Sequence, residues 1–104
     1  MRQNKYGEPI NKDGQLLLGH HTLKLLEGLY RAPGCSILSK KQWAQQSGSH
    51  TVCIDRIPST MYTYKKMGSA HVCTLTKRGR KVAEGKIPTW IIGKGLYQPP
   101  KSSR

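Results

Sequence analysis

Residues Ser39–Pro58, SKKQWAQQSGSHTVCIDRIP, decide how this chain folds. Ser39 is a strong helix N-cap, and Gln42 three residues on completes a capping-box pattern. The helix that starts there is short, because Gly48 suits the position just past a helix end where φ turns positive. A second helix is expected from Ser49 or His50 to Ile57, and Pro58 cannot continue it. Two short helices crossing closely need a small residue at the contact, and Ala44 provides it. Trp43 from the first helix, with Ile54 and Ile57 from the second, point to the core. That leaves Ser49, His50, Thr51, Cys53, Asp55 and Arg56 on the outer side of the second helix.

Before this pair, LLLGHHTLKLLEGLYR (Leu16–Arg31) carries apolar residues at three- and four-residue spacing. It predicts an amphipathic helix beginning near Gly19 and ending ahead of Ala32-Pro33-Gly34, with Gly28 weakening it. Ile37 and Leu38 suggest a minimal strand. After the pair, STMYTYKKMG is expected to add a turn or two of helix, with Met61, Tyr64 and Met67 on one side and Gly68 closing it. SAHVCTLT then alternates with the period of a half-buried strand. KRGRKVAEGK offers a basic hairpin tip or a short helix from Lys77 to Glu84, and IPTWIIGKGLY a second strand. No internal repeat is expected. The domain spans residues 16–97, preceded by a flexible polar arm over 1–15 and followed by a disordered basic tail over 98–104.

With 104 residues, the chain has room for one domain that folds without a metal or disulfide. Hydrophobic residues make up 36% and Phe is absent, so the core relies on Leu, Ile, Val, Met, Tyr and two Trp. The formal charge of +13 dominates its chemistry. Nucleic acid is the simplest partner for such a charge, since each neutralised phosphate releases counterions. No strongly apolar, basic amphipathic stretch points to a membrane surface, no apolar run approaches membrane-spanning length, and no signal-peptide core is visible. Cys35, Cys53 and Cys73 are odd in number and widely spaced, which suits reduced thiols in a cytosol. Neither CxxC nor HxxxH spacing is present, so no metal and no cofactor are expected. Five acidic residues are few for paired-carboxylate chemistry, and no phosphate-binding glycine loop appears; no catalytic role is expected. Tyr62 and Tyr64 could stack on bases, although core packing accounts for them more simply.

The offsets in Ser39–Pro58 resemble the helix-turn-helix. Ala44 lies four before Gly48, Trp43 stands just ahead of it, and Ile54 and Ile57 follow the glycine by six and nine. With a helix before it and strands after it, the chain resembles a winged-helix domain, and LTKRGRKVAEG (Leu75–Gly85) resembles the strand exit and helix start of many winged-helix regulators. The resemblance implies an α+β fold of three or four helices with a small antiparallel sheet. It also implies a sequence-specific binder of double-stranded DNA, a small transcriptional regulator, cytoplasmic and nucleoid-associated when bound. Ser49, His50, Thr51 and Arg56 would enter the major groove, about 12 Å wide, with Arg56 placed for bidentate contact to guanine. Lys40 and Lys41 would meet phosphate at a helix start. Because Gly68 to Leu75 is short for a whole wing, the basic turn is expected at Lys77–Lys81, where Lys77, Arg78, Arg80 and Lys81 would hold the backbone or probe the minor groove. Thr89–Tyr97 is the expected contact of a homodimer. A protein-docking module of the same fold, or an RNA-binding or ribosome-associated protein, are the rival readings.

Overall fold

The computed structural model describes residues 2–99 and forms an α+β domain with four helices and two three-stranded sheets. In chain order the elements are β1 (Leu16–Leu18), α1 (His20–Arg31), β2 (Ser36–Ile37), α2 (Lys40–Ser47), α3 (Thr51–Ile54), β3 (Tyr62–Met67), β4 (Ala70–Leu75), α4 (Lys77–Ala83), β5 (Thr89–Ile91) and β6 (Gly95–Leu96). One sheet has the order β2-β4-β3 and is antiparallel throughout. The other has the order β1-β5-β6, with β1 and β5 parallel.

Helix α1 is the hub. Its Leu23, Leu25, Leu26 and Leu29 are buried, and α2, α3, α4 and β4 all pack against it. The α2–α3 pair follows the sequence closely. Ser39 caps α2 by accepting a hydrogen bond from the Gln42 amide, and Gly48 ends it in the left-handed region at φ 68°. Trp43, Ala44, Ile54 and Ile57 are buried. The Trp43 indole N–H donates to the Leu25 carbonyl at 2.7 Å, so the buried ring has its one polar atom satisfied while it fixes α2 to α1. Gly28 has a use that its helix propensity conceals. A Cβ there would stand 2.0 Å from Ser47 Oγ, so the glycine lets the end of α2 lie against α1.

Several expectations are corrected. Residues 62–67 form a strand rather than more helix, because Tyr62, Thr63 and Tyr64 favour extended backbone and pair along β4 from Tyr62↔Leu75 to Met67↔Ala70. The projecting basic hairpin is therefore β3–β4, turning at Gly68 (φ 63°), and not a turn after Leu75. Lys77–Ala83 is a helix. Thr76 caps it by accepting from the Gly79 amide, and Gly79 is buried so close to the Met61 carbonyl that a Cβ there would strike it. Residues 16–18 precede the helix as a strand, whose parallel pairing with β5 departs from a purely antiparallel sheet. Helix α3 is a single turn that stops at Ile54, well short of Pro58.

The N-terminal stretch read as a flexible arm is hydrogen-bonded into the domain, and it contains a repeat. Asn4-Lys5-Tyr6-Gly7-Glu8 and Asn11-Lys12-Asp13-Gly14-Gln15 share the pattern N-K-x-G-E/Q. In each, the Asn side-chain oxygen accepts two backbone amides, and its NH2 donates to the fifth side chain at 2.9 Å. The glycine takes positive φ in both. Bridges Gln3↔Pro9 and Ile10↔Leu16 close the two loops. At the other end Tyr97 is buried with its hydroxyl 2.9 Å from Glu27 and 3.0 Å from the Ala83 carbonyl, and Pro99 covers Gly85. Of the expected tail, 100–104 lie outside the described residues.

Candidate nucleic-acid interface

The short α3 is fixed by Cys53 and Ile54 below, with Ile57 just beyond, and its outer side is free. His50, Thr51, Asp55 and Arg56 are exposed and Ser49 is half-exposed. Cys53, expected on this side, is buried; exposed Val52 takes its place. Ser49 Oγ lies 3.2 Å from Nδ1 of His21 on α1, which ties the turn to the neighbouring helix. The His50 ring stands 6.4 Å from that of His21, and His20 lies next in line at 5.7 Å from His21. Burial, with the nearby charges of Lys94, Lys24 and His21, holds the His20 imidazole below its ordinary range. Arg56 makes no side-chain hydrogen bond or ion pair among the described residues. It edges a cleft of about 280 Å³ whose lining includes Leu17, Leu18, His20, Cys53 and Ile92.

Lys40 joins this edge to the hairpin. Its Nζ is 4.0 Å from the Asp55 carboxylate, just past α3, and 4.4 Å from the centre of the Tyr64 ring on β3. Tyr64 in turn stacks on His71 of β4 and hydrogen-bonds to its Nδ1. Lys40 is thus committed to neighbours inside the domain, whereas Lys41 is exposed. On the hairpin, Lys65 and Lys66 are exposed, followed at its tip by exposed Met67. These hairpin residues were missed in the sequence. Of the two tyrosines considered for stacking, Tyr62 packs on Trp43 (5.4 Å between rings) and Tyr64 is exposed.

The Lys77–Lys81 cluster does not act as one unit. Lys77, Arg80 and Lys81 are exposed on α4, but Arg78 turns back to clasp Glu8, with Nε at 2.6 Å and Nη2 at 2.5 Å from its two carboxylate oxygens. Glu8 is fully buried, and Asn4 and Thr60 also donate to it. Burial alone would raise the Glu8 pKa; the hydrogen bonds from Arg78, Asn4 and Thr60 overcome this and lower it to about 2. The expected backbone contact of Arg78 therefore gives way to an internal ion pair.

In the expected dimer segment, Thr89 and Tyr97 are buried, while Trp90, Ile92 and Leu96 are exposed. Both edges of β5 are already paired, by β1 and β6. Among the described residues no three His, Cys, Asp or Glu side chains are grouped to hold a metal ion, and no helix is long and apolar enough to cross a membrane. Cys35, Cys53 and Cys73 are all buried, and none of them forms a disulfide. No protein-family model, curated protein or solved structure matches the chain.

Proposed function

We propose that this chain is a winged-helix-like protein that binds double-stranded DNA sequence-specifically and acts as a small transcriptional regulator. The observation that carries this reading is the placement of two polar, exposed elements side by side around Lys40, namely the outer edge of α3 and the lysine-bearing β3–β4 hairpin. In a chain of charge +13, that pairing suits a groove-reading element next to a backbone-holding one. The element order supports it too, since a helix, a short strand, a helix pair and an antiparallel hairpin follow one another, and the strand and hairpin share one sheet of order β2-β4-β3.

Ser49, His50, Thr51 and Arg56 present the base-reading edge, and the unpaired guanidinium of Arg56 is its strongest donor to guanine. With only one helical turn, α3 reaches few base pairs, so hairpin contacts through Lys65 and Lys66 carry much of the affinity. Lys41 and Arg80 add attraction around them.

Gel shift of a random-sequence duplex at low salt tests the reading. Binding that falls steeply with added salt is expected, and failure to bind any duplex overturns it. Selection from a random pool then gives a preferred site. Arg56→Ala is expected to flatten the preference by about 1–3 kcal/mol at one position while leaving non-specific binding nearly intact. Structured RNA binding more tightly than duplex would favour the RNA-binding alternative.

A further inference from the structure

A second arrangement, away from the proposed duplex contacts in sequence, is built on the first of the two Asn-centred loops. Tyr6, the third residue of that loop, is 48% exposed. Its backbone amide donates to Asn4 Oδ1 at 3.0 Å, and its ring lies 4.2 Å from the Arg78 guanidinium. That guanidinium is itself immobilised by buried Glu8, so the ring is held in place by a stack rather than by burial. Tyr6, Lys77, Arg78 and Lys81 line a groove of about 290 Å³. Lys77 and Lys81 are one turn apart on α4, both exposed, and neither has an ion pair or side-chain hydrogen bond among the described residues. Among the described residues no carboxylate lines the groove.

We propose that this groove binds single-stranded nucleic acid, Tyr6 stacking on a base while Lys77 and Lys81 hold the phosphates that flank it. An exposed aromatic ring beside unpaired cations matches both parts of a nucleotide, the flat base and its anionic link. A single strand is favoured over duplex because a base paired inside a helix has no free face for the ring to cover. The second loop sharpens the point. It has the same hydrogen bonds but carries Asp13 where the first carries Tyr6, so the scaffold is repeated and the stacking group is not. The proposal does not rest on the duplex reading and uses a different surface.

The test is fluorescence anisotropy of a labelled twelve-nucleotide oligothymidylate with the full chain, in the presence of excess unlabelled random duplex. Binding is expected to persist, to weaken about tenfold in Tyr6→Leu, and to be retained in Tyr6→Trp. Duplex gel shift and melting temperature of Tyr6→Leu are expected to match the wild type. Lys77→Gln with Lys81→Gln, which leaves the loop intact, is expected to lower the salt slope of oligothymidylate binding by about 1.4, the value for two phosphates of a single strand. The proposal is overturned if the oligomer does not bind, if Tyr6→Leu binds it as well as wild type, or if the duplex displaces it completely. Displacement by thymidine monophosphate at comparable concentration also overturns it, since the groove would then be a nucleotide pocket.

Discussion

Glu8 shows how much a single side chain can organise here. It is a fully buried carboxylate in a strongly cationic protein, and its partner Arg78 comes from the far end of the sequence. Because its pKa is lowered from 4.5 to about 2, the ion pair contributes full stability above pH 4.5 and loses it as pH falls toward 2. Chemical denaturation at pH 7 is expected to show Glu8→Gln destabilised by about 3 kcal/mol, because Arg78 loses its buried partner. Between pH 4.5 and 2.5 the wild type should lose stability more steeply than the variant; parallel curves would show that Glu8 is not the titrating group. Gly28 makes the opposite case, a residue whose worth is the space it leaves. Gly28→Ala should lower the melting temperature although alanine is the better helix former by about 1 kcal/mol. Ser47→Ala removes the hydroxyl that the new methyl would strike, a buried group with no hydrogen-bond partner among the described residues, so the double variant should recover part of the loss.

At the level of elements, local chemistry was most legible at α2, where both termini carry their own caps. Ser39 and Gly48 bound α2 as their residue types predict, and the buried set Trp43, Ala44, Ile54 and Ile57 follows from their offsets. The hairpin was not legible from spacing, since Met61, Tyr64 and Met67 recur every three residues and imitate one side of a helix. Strand pairing across Gly68 supplies what that periodicity could not, and the β-branched and aromatic content of Tyr62–Tyr64 was the signal available. A one-turn α3 has too few residues to define a face, which is why Cys53, expected outside, is buried while Val52 beside it is exposed. The N-K-x-G repeat was visible in the sequence seven residues apart, but its meaning depends on asparagine side-chain bonds that composition does not display. For the candidate site, Arg56 is exposed without a side-chain partner among the described residues, whereas Arg78 is drawn onto Glu8, a partner too remote in sequence for spacing to reveal. Lys65→Gln with Lys66→Gln is expected to weaken all duplexes alike and reduce the salt slope by nearly two, with unchanged melting temperature because both side chains are solvated.

For the whole molecule, charge is the governing quantity. Of five acidic residues, Glu8, Glu27, Asp55 and Glu84 are each engaged with an internal partner, so little negative charge remains to offset the basic surface. Self-repulsion then opposes folding at low ionic strength. Raising sodium chloride from about 0.05 M to 0.5 M is expected to increase the melting temperature, because the Debye length shrinks from over 10 Å to about 4 Å. A decrease, read by differential scanning fluorimetry, would mean that favourable ion pairs outweigh the repulsion.

The parallel register of Leu16–Leu18 with Thr89–Ile91 also sets the order of assembly. A chain emerging from the ribosome must wait for residues roughly seventy positions downstream before that sheet can close, while the hairpin and the central helices need only near neighbours. Until then the leucine triplet offers an open, apolar backbone edge, so synthesis halted upstream of Thr89 would leave a species inclined to aggregate.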